Sequence, residues 1–193
     1  KFFKTGHSER RGILAANRIG KTVSTCFETA CHLTGLYPEW WEGKRFERPV
    51  SAWAAGDTGK TVKEIIQFKL LGKFNEFGTG LIPQDLIVKT TTKLGVAEAV
   101  DTIYVKHASG GVSEVALKSY DQRRISFQGT EKDVVWLDEE PPLDIYVECL
   151  TRTMDTTGKS SGIIMLTFTP LMGMSETVLS FLQGGEVKES SEG

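Results

Sequence analysis

Short apolar runs alternate along this chain with longer stretches whose apolar residues recur at helical spacing, and this alternation most constrains the fold. The predicted order is strand, helix, strand, helix, hairpin, strand, helix, strand. That order is typical of an α/β fold with a mostly parallel sheet, in which ligands bind at the carboxyl ends of the strands. The predicted strands are 11–16, 49–55, 101–107, 112–120, 133–140 and 162–170, and the predicted helices cover Lys21 to about Leu33, residues 60–72, Pro141 to about Met154 and a last segment from Ser175.

Composition excludes several classes of protein. The 193 residues, 39% of them hydrophobic, suffice for one domain with a packed core, and no apolar run approaches the ~20 residues of a membrane span. The net charge of -2 gives no bulk electrostatic support for tight nucleic-acid binding. Three cysteines and three histidines lack the spacing of a disulfide framework or a metal site, so we expect the cysteines to be reduced core thiols. We expect a single domain over 1–193, cut from a longer protein.

The end of a phosphate-binding loop, Gly-Lys-Thr or Gly-Lys-Ser, occurs three times, at residues 20–22, 59–61 and 158–160. Such a loop needs a strand before it and a helix after it, so that the helix N-terminus faces the phosphates. A strand rather than a helix follows the third triplet, which is therefore predicted to be a turn. The first two triplets both fit, and both carry Ala where the motif begins with Gly, at Ala15 and Ala54.

Charge inside the loop favours the first triplet over the second. Arg18 adds positive charge to a site for a polyanion, whereas the Asp57 carboxylate would repel bound phosphates. The second triplet is predicted to be a strand-to-helix turn capped by Asp57 or Thr58.

The run "VVWLDEE" places four apolar residues before Asp138 and Glu139. This is a Walker B pattern, in which the strand brings Asp138 to Mg²⁺ and Glu139 orients or deprotonates the attacking water. A buried strand with a charged end would give the same pattern by chance. Glu140 competes for the catalytic role, but it precedes Pro141 and Pro142 and is expected to support the helix start.

The run "LTFTP" carries Thr167 and Thr169, which alternate on an apolar strand and so point to one side. Their hydroxyls could lie near a γ-phosphate and report hydrolysis. Ordinary strand propensity of threonine is the alternative explanation.

The chain resembles the ATPase domain of a tailed-bacteriophage large terminase, the motor that packages viral DNA. The resemblance rests on three runs in this order along the chain: "AANRIGKT", "VVWLDEEPP" and "LTFTP". The segments "HLTGLYPEWWEGKRF" and "RPVSAWAAG" also resemble one terminase branch, so the similarity spans nearly the whole chain. The resemblance implies a P-loop NTPase of the additional-strand, catalytic-glutamate type, with a mostly parallel sheet flanked by helices and a β-hairpin insertion. It also implies that a C-terminal nuclease domain lies outside this chain, and that an adenine-contacting segment lies between Phe2 and Arg11.

The resemblance further implies a role for each matching residue. One such role is that of an arginine that acts on the ATP of a neighbouring subunit. The candidates for it could equally be surface residues. The implied roles are catalysis by Glu139, Lys21 and Arg18; triphosphate binding by Ala15, Ala16, Asn17, Arg18, Ile19, Gly20, Lys21 and Thr22; Mg²⁺ binding by Thr22 and Asp138; coupling by Thr167 and Thr169; and action in trans by Arg124, Arg123 or Arg152.

By resemblance, the expected activity is Mg²⁺-dependent hydrolysis of the β–γ phosphoanhydride of ATP, which drives double-stranded viral DNA into a procapsid. The implied partners are viral DNA, the portal protein, the small terminase subunit and further copies of the chain in a ring, with a monomer expected for the isolated domain. The implied location is the host-cell cytoplasm during virus assembly. A helicase-like nucleic-acid ATPase and a nucleotide-binding regulatory or kinase-like domain remain as alternatives.

Overall fold

A seven-stranded sheet forms the centre of the computed structural model, which describes residues 2–16, 19–154, 162–169, 175–177 and 179. The strands of this described part are β1 Arg10–Leu14, β2 Ser51–Gly56, β3 Ile87–Thr92, β4 Val100–Lys106, β5 Val112–Ser119, β6 Val134–Asp138 and β7 Ile163–Phe168.

The strand order across the sheet is β1-β7-β6-β2-β5-β4-β3. Parallel pairing joins β1 to β7, β7 to β6, β6 to β2 and β2 to β5. Antiparallel pairing joins β5 to β4 and β4 to β3. The predicted mostly parallel sheet is therefore confirmed. One additional strand, β7, lies between β1, which leads to the first triplet, and β6, which carries the Walker B pattern. The predicted hairpin is also confirmed as β4 and β5, and it is continuous with the main sheet because β5 pairs with β2.

Helices follow the strands as the sequence predicts. Helix α1 covers Lys21–Thr34 and ends at Gly35, whose φ of 69° is left-handed and whose N–H donates to the Cys31 carbonyl at 2.8 Å. The second predicted helix is built of three consecutive segments: α2 Gly59–Thr61, a π-helical segment Val62–Gln67 and α3 Phe68–Leu71. Helix α4 covers Leu143–Arg152. None of the described helices combines the length and the apolarity that a membrane crossing requires.

Two apolar cores lie on the two faces of the sheet, as expected for parallel strands covered on both sides. On β6 the side chains alternate between them: Val134 and Trp136 belong to one core, and Val135 and Leu137 belong to the other. The cysteines are free and buried, which confirms the prediction for them; they are Cys26, Cys31 and Cys149.

One strand and several short helices escaped prediction. Strand β3 lies in a stretch that the sequence indicated to be a loop, because its "IVKTTT" residues are half-buried or exposed and show no apolar run. The short 3₁₀ helices are Phe2–Thr5, Gln84–Leu86, Tyr120–Gln122 and Arg124–Phe127.

A buried polar network joins β1 to α1 and to the loop after it. Arg11 donates to both carboxylate oxygens of Glu28, at 3.0 Å for one of them. The Tyr37 hydroxyl accepts from the Phe46 N–H and donates to His32 Nδ1, both at 2.9 Å, which leaves His32 Nε2–H to donate to Glu28 at 3.3 Å. Burial lowers the pKa of His32, against the opposing effect of Glu28. Burial alone would raise the pKa of Glu28, but the hydrogen bonds from His32 and Arg11 lower it.

Candidate functional site

The first Gly-Lys-Thr triplet lies between β1 and α1, at the carboxyl edge of the sheet. Gly20 caps the helix with φ 89° and ψ 13°, a left-handed conformation that favours glycine, and no side chain caps this helix end. A Cβ at Gly20 would meet nothing within 4 Å, so backbone conformation rather than space requires the glycine. Among the described residues, no side chain accepts from the N–H groups in the first turn of the 14-residue α1, an arrangement suited to an anion. Of the loop, Asn17 and Arg18 lie outside the described residues.

The Lys21 side chain folds back into this loop. Its Nζ lies 2.8 Å from the carbonyl oxygens of both Ala15 and Ala16 and 2.9 Å from Thr169 Oγ1, and the residue is 8% exposed. Three acceptors match the three hydrogens of the ammonium group. Ala15 has a negative φ, so its conformation does not require the glycine that begins the usual motif.

The Walker B carboxylate meets the first triplet directly. Thr22 Oγ1 donates to Asp138 Oδ1 at 3.1 Å, and Thr167 Oγ1 donates to the same oxygen at 2.6 Å. Trp136 Nε1 in turn donates to Thr167 Oγ1 at 3.0 Å. Burial raises the pKa of Asp138, while the hydrogen bonds from Thr167 and Thr22 and the charge of Lys21 oppose the rise. One carboxylate and one hydroxyl oxygen form the kind of partial, hard-ligand site that Mg²⁺ completes with water and phosphates.

Glu139 follows Asp138 in an unusual backbone conformation. Its φ is 63°, in the left-handed region, and its N–H donates to the Thr167 carbonyl at 2.8 Å. The side chain is exposed, beyond the end of β6. Desolvation by neighbouring groups and the negative charges of Asp138 and Asp57 raise the pKa of Glu139, and Lys21 lowers it.

Glu140 is engaged elsewhere. The Ser175 hydroxyl donates to its carboxylate, and Thr177 Oγ1 donates to the Pro141 carbonyl at 3.1 Å. Glu140 thus joins the start of α4 to the segment at Ser175, where Leu179 N–H donates to the Ser175 carbonyl at 2.9 Å. The remainder of that predicted last helix, and Pro170 of the "LTFTP" run, lie outside the described residues.

The second triplet, residues 59–61, forms the first turn of a helix that Thr58 caps. Of the two predicted caps, Asp57 and Thr58, it is Thr58 that accepts from the Thr61 N–H at 3.2 Å, and the Thr58 N–H donates to Thr61 Oγ1 at 3.0 Å. The Lys60 side chain is 79% exposed and lies 3.9 Å from Glu64. The triplet's hydroxyl is therefore held within its own turn and its ammonium points to solvent.

A carboxylate also faces the start of that second helix. The Gly59 N–H donates to Asp121 Oδ2 at 3.4 Å, and the Ser119 hydroxyl donates to the other oxygen of Asp121. Negative charge already occupies the position that a phosphate would take, which agrees with the preference for the first triplet. The third triplet, 158–160, lies outside the described residues.

The three candidate trans-acting arginines differ in their contacts. Arg124 Nε lies 2.9 Å from Glu148 Oε2, and Arg152 lies 3.0 Å from Glu148 Oε1 and also donates to the Gly129 carbonyl. Arg123 is exposed, with φ 61°, and its guanidinium makes no ion pair within the described part of the chain. Two of the candidates are thus held in place by their own chain.

Two residues at the site were missed from the sequence. Trp136 lies two residues before Asp138 on β6 and shares its side of the strand, a signal that could have linked its N–H to the site. The Tyr120 hydroxyl lies 3.0 Å from the Asp138 carbonyl oxygen and 3.1 Å from that of Glu139. No sequence pattern pointed to Tyr120, because its distance from Glu139 depends on the order of the strands in the sheet.

Comparison with known proteins identifies the family of the chain. Residues 13–190 match the family model described as "Terminase large subunit, T4likevirus-type, N-terminal". The terminase large subunit of Salmonella phage P22 is 39% identical over 204 aligned residues, which cover 95% of this chain and 40% of the P22 protein. The chain therefore spans about two fifths of the length of that relative.

Solved structures share the fold at low sequence identity. A mutant of the ATPase domain of the Thermus phage P74-26 large terminase has a TM-score of 0.60 at 20% identity, over 95% of this chain and 68% of that one. The large terminase of a thermophilic bacteriophage, in complex with ADP, has a TM-score of 0.53 at 13% identity, over 83% of this chain and 33% of that one. The family match over residues 13–190 decides the assignment: the chain belongs to the T4-like terminase large subunits and corresponds to their N-terminal domain.

Proposed function

We propose that this domain hydrolyses the β–γ bond of ATP with Mg²⁺, and that hydrolysis drives double-stranded viral DNA into a procapsid. The hydrogen bond of 3.1 Å between Thr22 Oγ1 and Asp138 Oδ1 carries the proposal. It brings the hydroxyl of a phosphate-loop triplet onto the carboxylate of a Walker B strand, as a shared metal would require. The ADP complex of the thermophilic-bacteriophage terminase supports nucleotide binding in this fold.

ATP would bind with its phosphates in the loop from Ala15 to Thr22. The N–H groups at the start of α1 would face the phosphates, and Lys21 would exchange its loop carbonyls for phosphate oxygens. Arg18, within the same loop, would add a second positive charge. Arg18 and Lys21 would thereby stabilise the charge that develops during phosphoryl transfer.

Thr22 and Asp138 would hold Mg²⁺ together with the phosphates. When bound, Mg²⁺ neutralises charge on the β- and γ-phosphate oxygens. Glu139, beyond the end of β6, would orient the attacking water and accept its proton. Thr167 and Thr169 would couple hydrolysis to motion, because their hydroxyls contact Asp138 and Lys21.

Arg123 is the arginine that we assign to a neighbouring subunit's ATP. Its exposure supports the assignment, as does the engagement of Arg124 and Arg152 by Glu148. Arginines supplied in trans accelerate related reactions by roughly 10³–10⁵. The isolated domain is accordingly expected to be monomeric and slow, and the assembled ring to be fast.

The motor role rests on family membership and on the P22 relative, which is a terminase large subunit. The partners proposed on that basis are viral DNA, the portal protein and the small terminase subunit, in the host-cell cytoplasm during assembly. A single domain over 1–193, with a nuclease domain elsewhere in the whole protein, completes the proposal.

A matched pair of variants tests the site. Lys21→Ala and Lys60→Ala each remove the lysine of a Gly-Lys-Thr triplet, and phosphate release from Mg-ATP is measured for both. We expect Lys21→Ala to abolish turnover and Lys60→Ala to leave it unchanged. If Lys21→Ala retained turnover and Lys60→Ala lost it, the second triplet would be the one that binds ATP.

Glu139→Gln tests the reaction class. We expect turnover to stop while binding of ATP, measured by calorimetry, persists. Full activity in this variant, with a phosphorylated product in place of free phosphate, would support the kinase-like alternative. For the motor, the full-length large subunit is mixed with procapsids carrying portal and with DNA, and nuclease-protected DNA is measured. Unwinding without procapsid stimulation would favour the helicase-like alternative.

A further inference from the structure

The Tyr120 side chain reaches from the end of β5 to the backbone of the Walker B segment. Tyr120 is 6% exposed and begins the 3₁₀ turn Tyr120–Gln122. Its hydroxyl oxygen lies 3.0 Å from the Asp138 carbonyl oxygen and 3.1 Å from the Glu139 carbonyl oxygen. A phenol has one hydrogen to donate, so the two carbonyls share it.

Tyr120 bonds to the carbonyl of Glu139, the residue with the left-handed backbone conformation. Glu139 has φ 63°, which is uncommon for a residue with a side chain and persists only where surrounding contacts impose it. Its N–H is held by the Thr167 carbonyl at 2.8 Å, and its carbonyl is held by Tyr120. The Glu139 backbone is thus held on both sides, by β7 and by the end of β5.

We propose that Tyr120 is a positioning residue for the hydrolysis reaction, whose hydroxyl fixes the Glu139 peptide and thereby aims the Glu139 carboxylate at the attacking water. The assignment rests on the proposed ATPase function. The Tyr120 hydroxyl contacts the backbone carbonyls of Asp138 and Glu139, and it acts through that backbone. Without its hydroxyl the Glu139 carbonyl is free to rotate, and the carboxylate loses its fixed direction.

The turn that carries Tyr120 is itself held in place. The Ser119 N–H donates to Gln122 Oε1 at 3.0 Å, which forms part of a capping box around the turn. The Tyr120 ring lies 6.5 Å from the Phe127 ring, centroid to centroid. The hydroxyl position is therefore fixed by contacts at both the backbone and the ring.

Tyr120→Phe tests the proposal because it removes the hydroxyl and keeps the ring. Tyr37→Phe is the matched control, since it removes another hydrogen-bonded phenol, whose partners are His32 and the Phe46 N–H instead of the Walker B segment. We expect Tyr120→Phe to lower kcat by about 10-fold to 100-fold, as a misplaced catalytic group does, with KM for ATP and the affinity for a non-hydrolysable ATP analogue unchanged. Tyr37→Phe should lower only the melting temperature. Wild-type kcat in a folded Tyr120→Phe would overturn the proposal, as would an equal loss in both variants.

Two further variants complete the test. If Tyr120→Phe does not fold, Gln122→Ala loosens the same turn and keeps the phenol; we expect a smaller loss of kcat at unchanged KM, and wild-type kcat would overturn the proposal. Turnover retained by Glu139→Gln alone would instead reject the proposed function, so the two failures are distinguishable.

Discussion

Thr167→Val is the substitution with the most defined consequence, because Thr167 makes two buried hydrogen bonds and valine has the same shape without the hydroxyl. The residue is 0% exposed; it donates to Asp138 Oδ1 at 2.6 Å and accepts from Trp136 Nε1 at 3.0 Å. Losing a hydrogen bond to a carboxylate costs about 1.5–3 kcal/mol, and the Trp136 N–H left buried without an acceptor costs about 1–3 kcal/mol more. The expected loss in free energy of unfolding is therefore about 2.5–6 kcal/mol.

A double-mutant cycle separates the two contributions. Trp136→Phe removes the N–H, so Thr167→Val in that background leaves no orphaned donor and should cost about 1–3 kcal/mol less than it does in the wild type. The assay is equilibrium unfolding in urea without nucleotide, followed by far-UV circular dichroism, which does not depend on the replaced tryptophan. For a domain of this size the single Thr167→Val variant should also melt about 5–24 °C lower.

Two results would refute this reasoning. A loss below about 1 kcal/mol in Thr167→Val would mean that the hydroxyl bonds contribute little to stability. Additivity of the two single variants within about 0.5 kcal/mol would mean that Trp136 and Thr167 are not coupled.

Three further predictions concern the loop, the second triplet and pH. Thr169→Val removes one of the three acceptors of the Lys21 ammonium group, so calorimetry should show an ATP analogue binding up to about 5-fold tighter; weaker binding would contradict this. Thr58→Ala should lower the free energy of unfolding by about 0.5–2 kcal/mol without changing ATP turnover. Loss of turnover would mean that the second triplet takes part in ATP hydrolysis. Burial lowers the pKa of His32 in the folded state, so its contribution to stability is complete above the unfolded value of about 6.5 and is lost as the pH falls below it. Melting temperatures should therefore decline on acidification, less steeply in His32→Gln, which keeps a neutral donor to Glu28; equal slopes would exclude His32 as the cause.

Most of the sheet could be predicted from the sequence because five of its strands are parallel and three of these, β2, β6 and β7, are buried on both faces. Such strands appear as short apolar runs between helical stretches, and each predicted run became a strand within a few residues. Strand β3 could not be predicted, since it is the edge strand of the sheet as described, next to β4, and has little apolar surface to bury. The π-helical segment Val62–Gln67 also lacks a local sequence signal.

At the candidate site, sequence reasoning succeeded where residues follow the ends of parallel strands. The contact between Thr22 and Asp138 could be anticipated because β1 and β6 end at the same edge. The contacts of Lys21 and Tyr120 could not, because the first depends on the conformation of the loop and the second on the order of the strands, in which β5 lies two positions from β6. The left-handed φ of Glu139 likewise results from tertiary contacts, since nothing in "LDEE" requires it.

Strand β7 is held by neighbouring strands on both sides, which limits where a movement of this domain can begin. Along its length β7 is paired with β1 on one side and with β6 on the other, from Arg10↔Ile164 to Leu14↔Phe168 and from Val134↔Ile163 to Asp138↔Thr167. A shift of one residue would turn every β7 side chain to the opposite face and remove Thr167 from Asp138. The register of β7 is therefore fixed by both neighbours, and in the proposed motor a movement would begin at Thr169, the first residue beyond the ladder, whose hydroxyl donates to the Ala15 carbonyl at 3.1 Å.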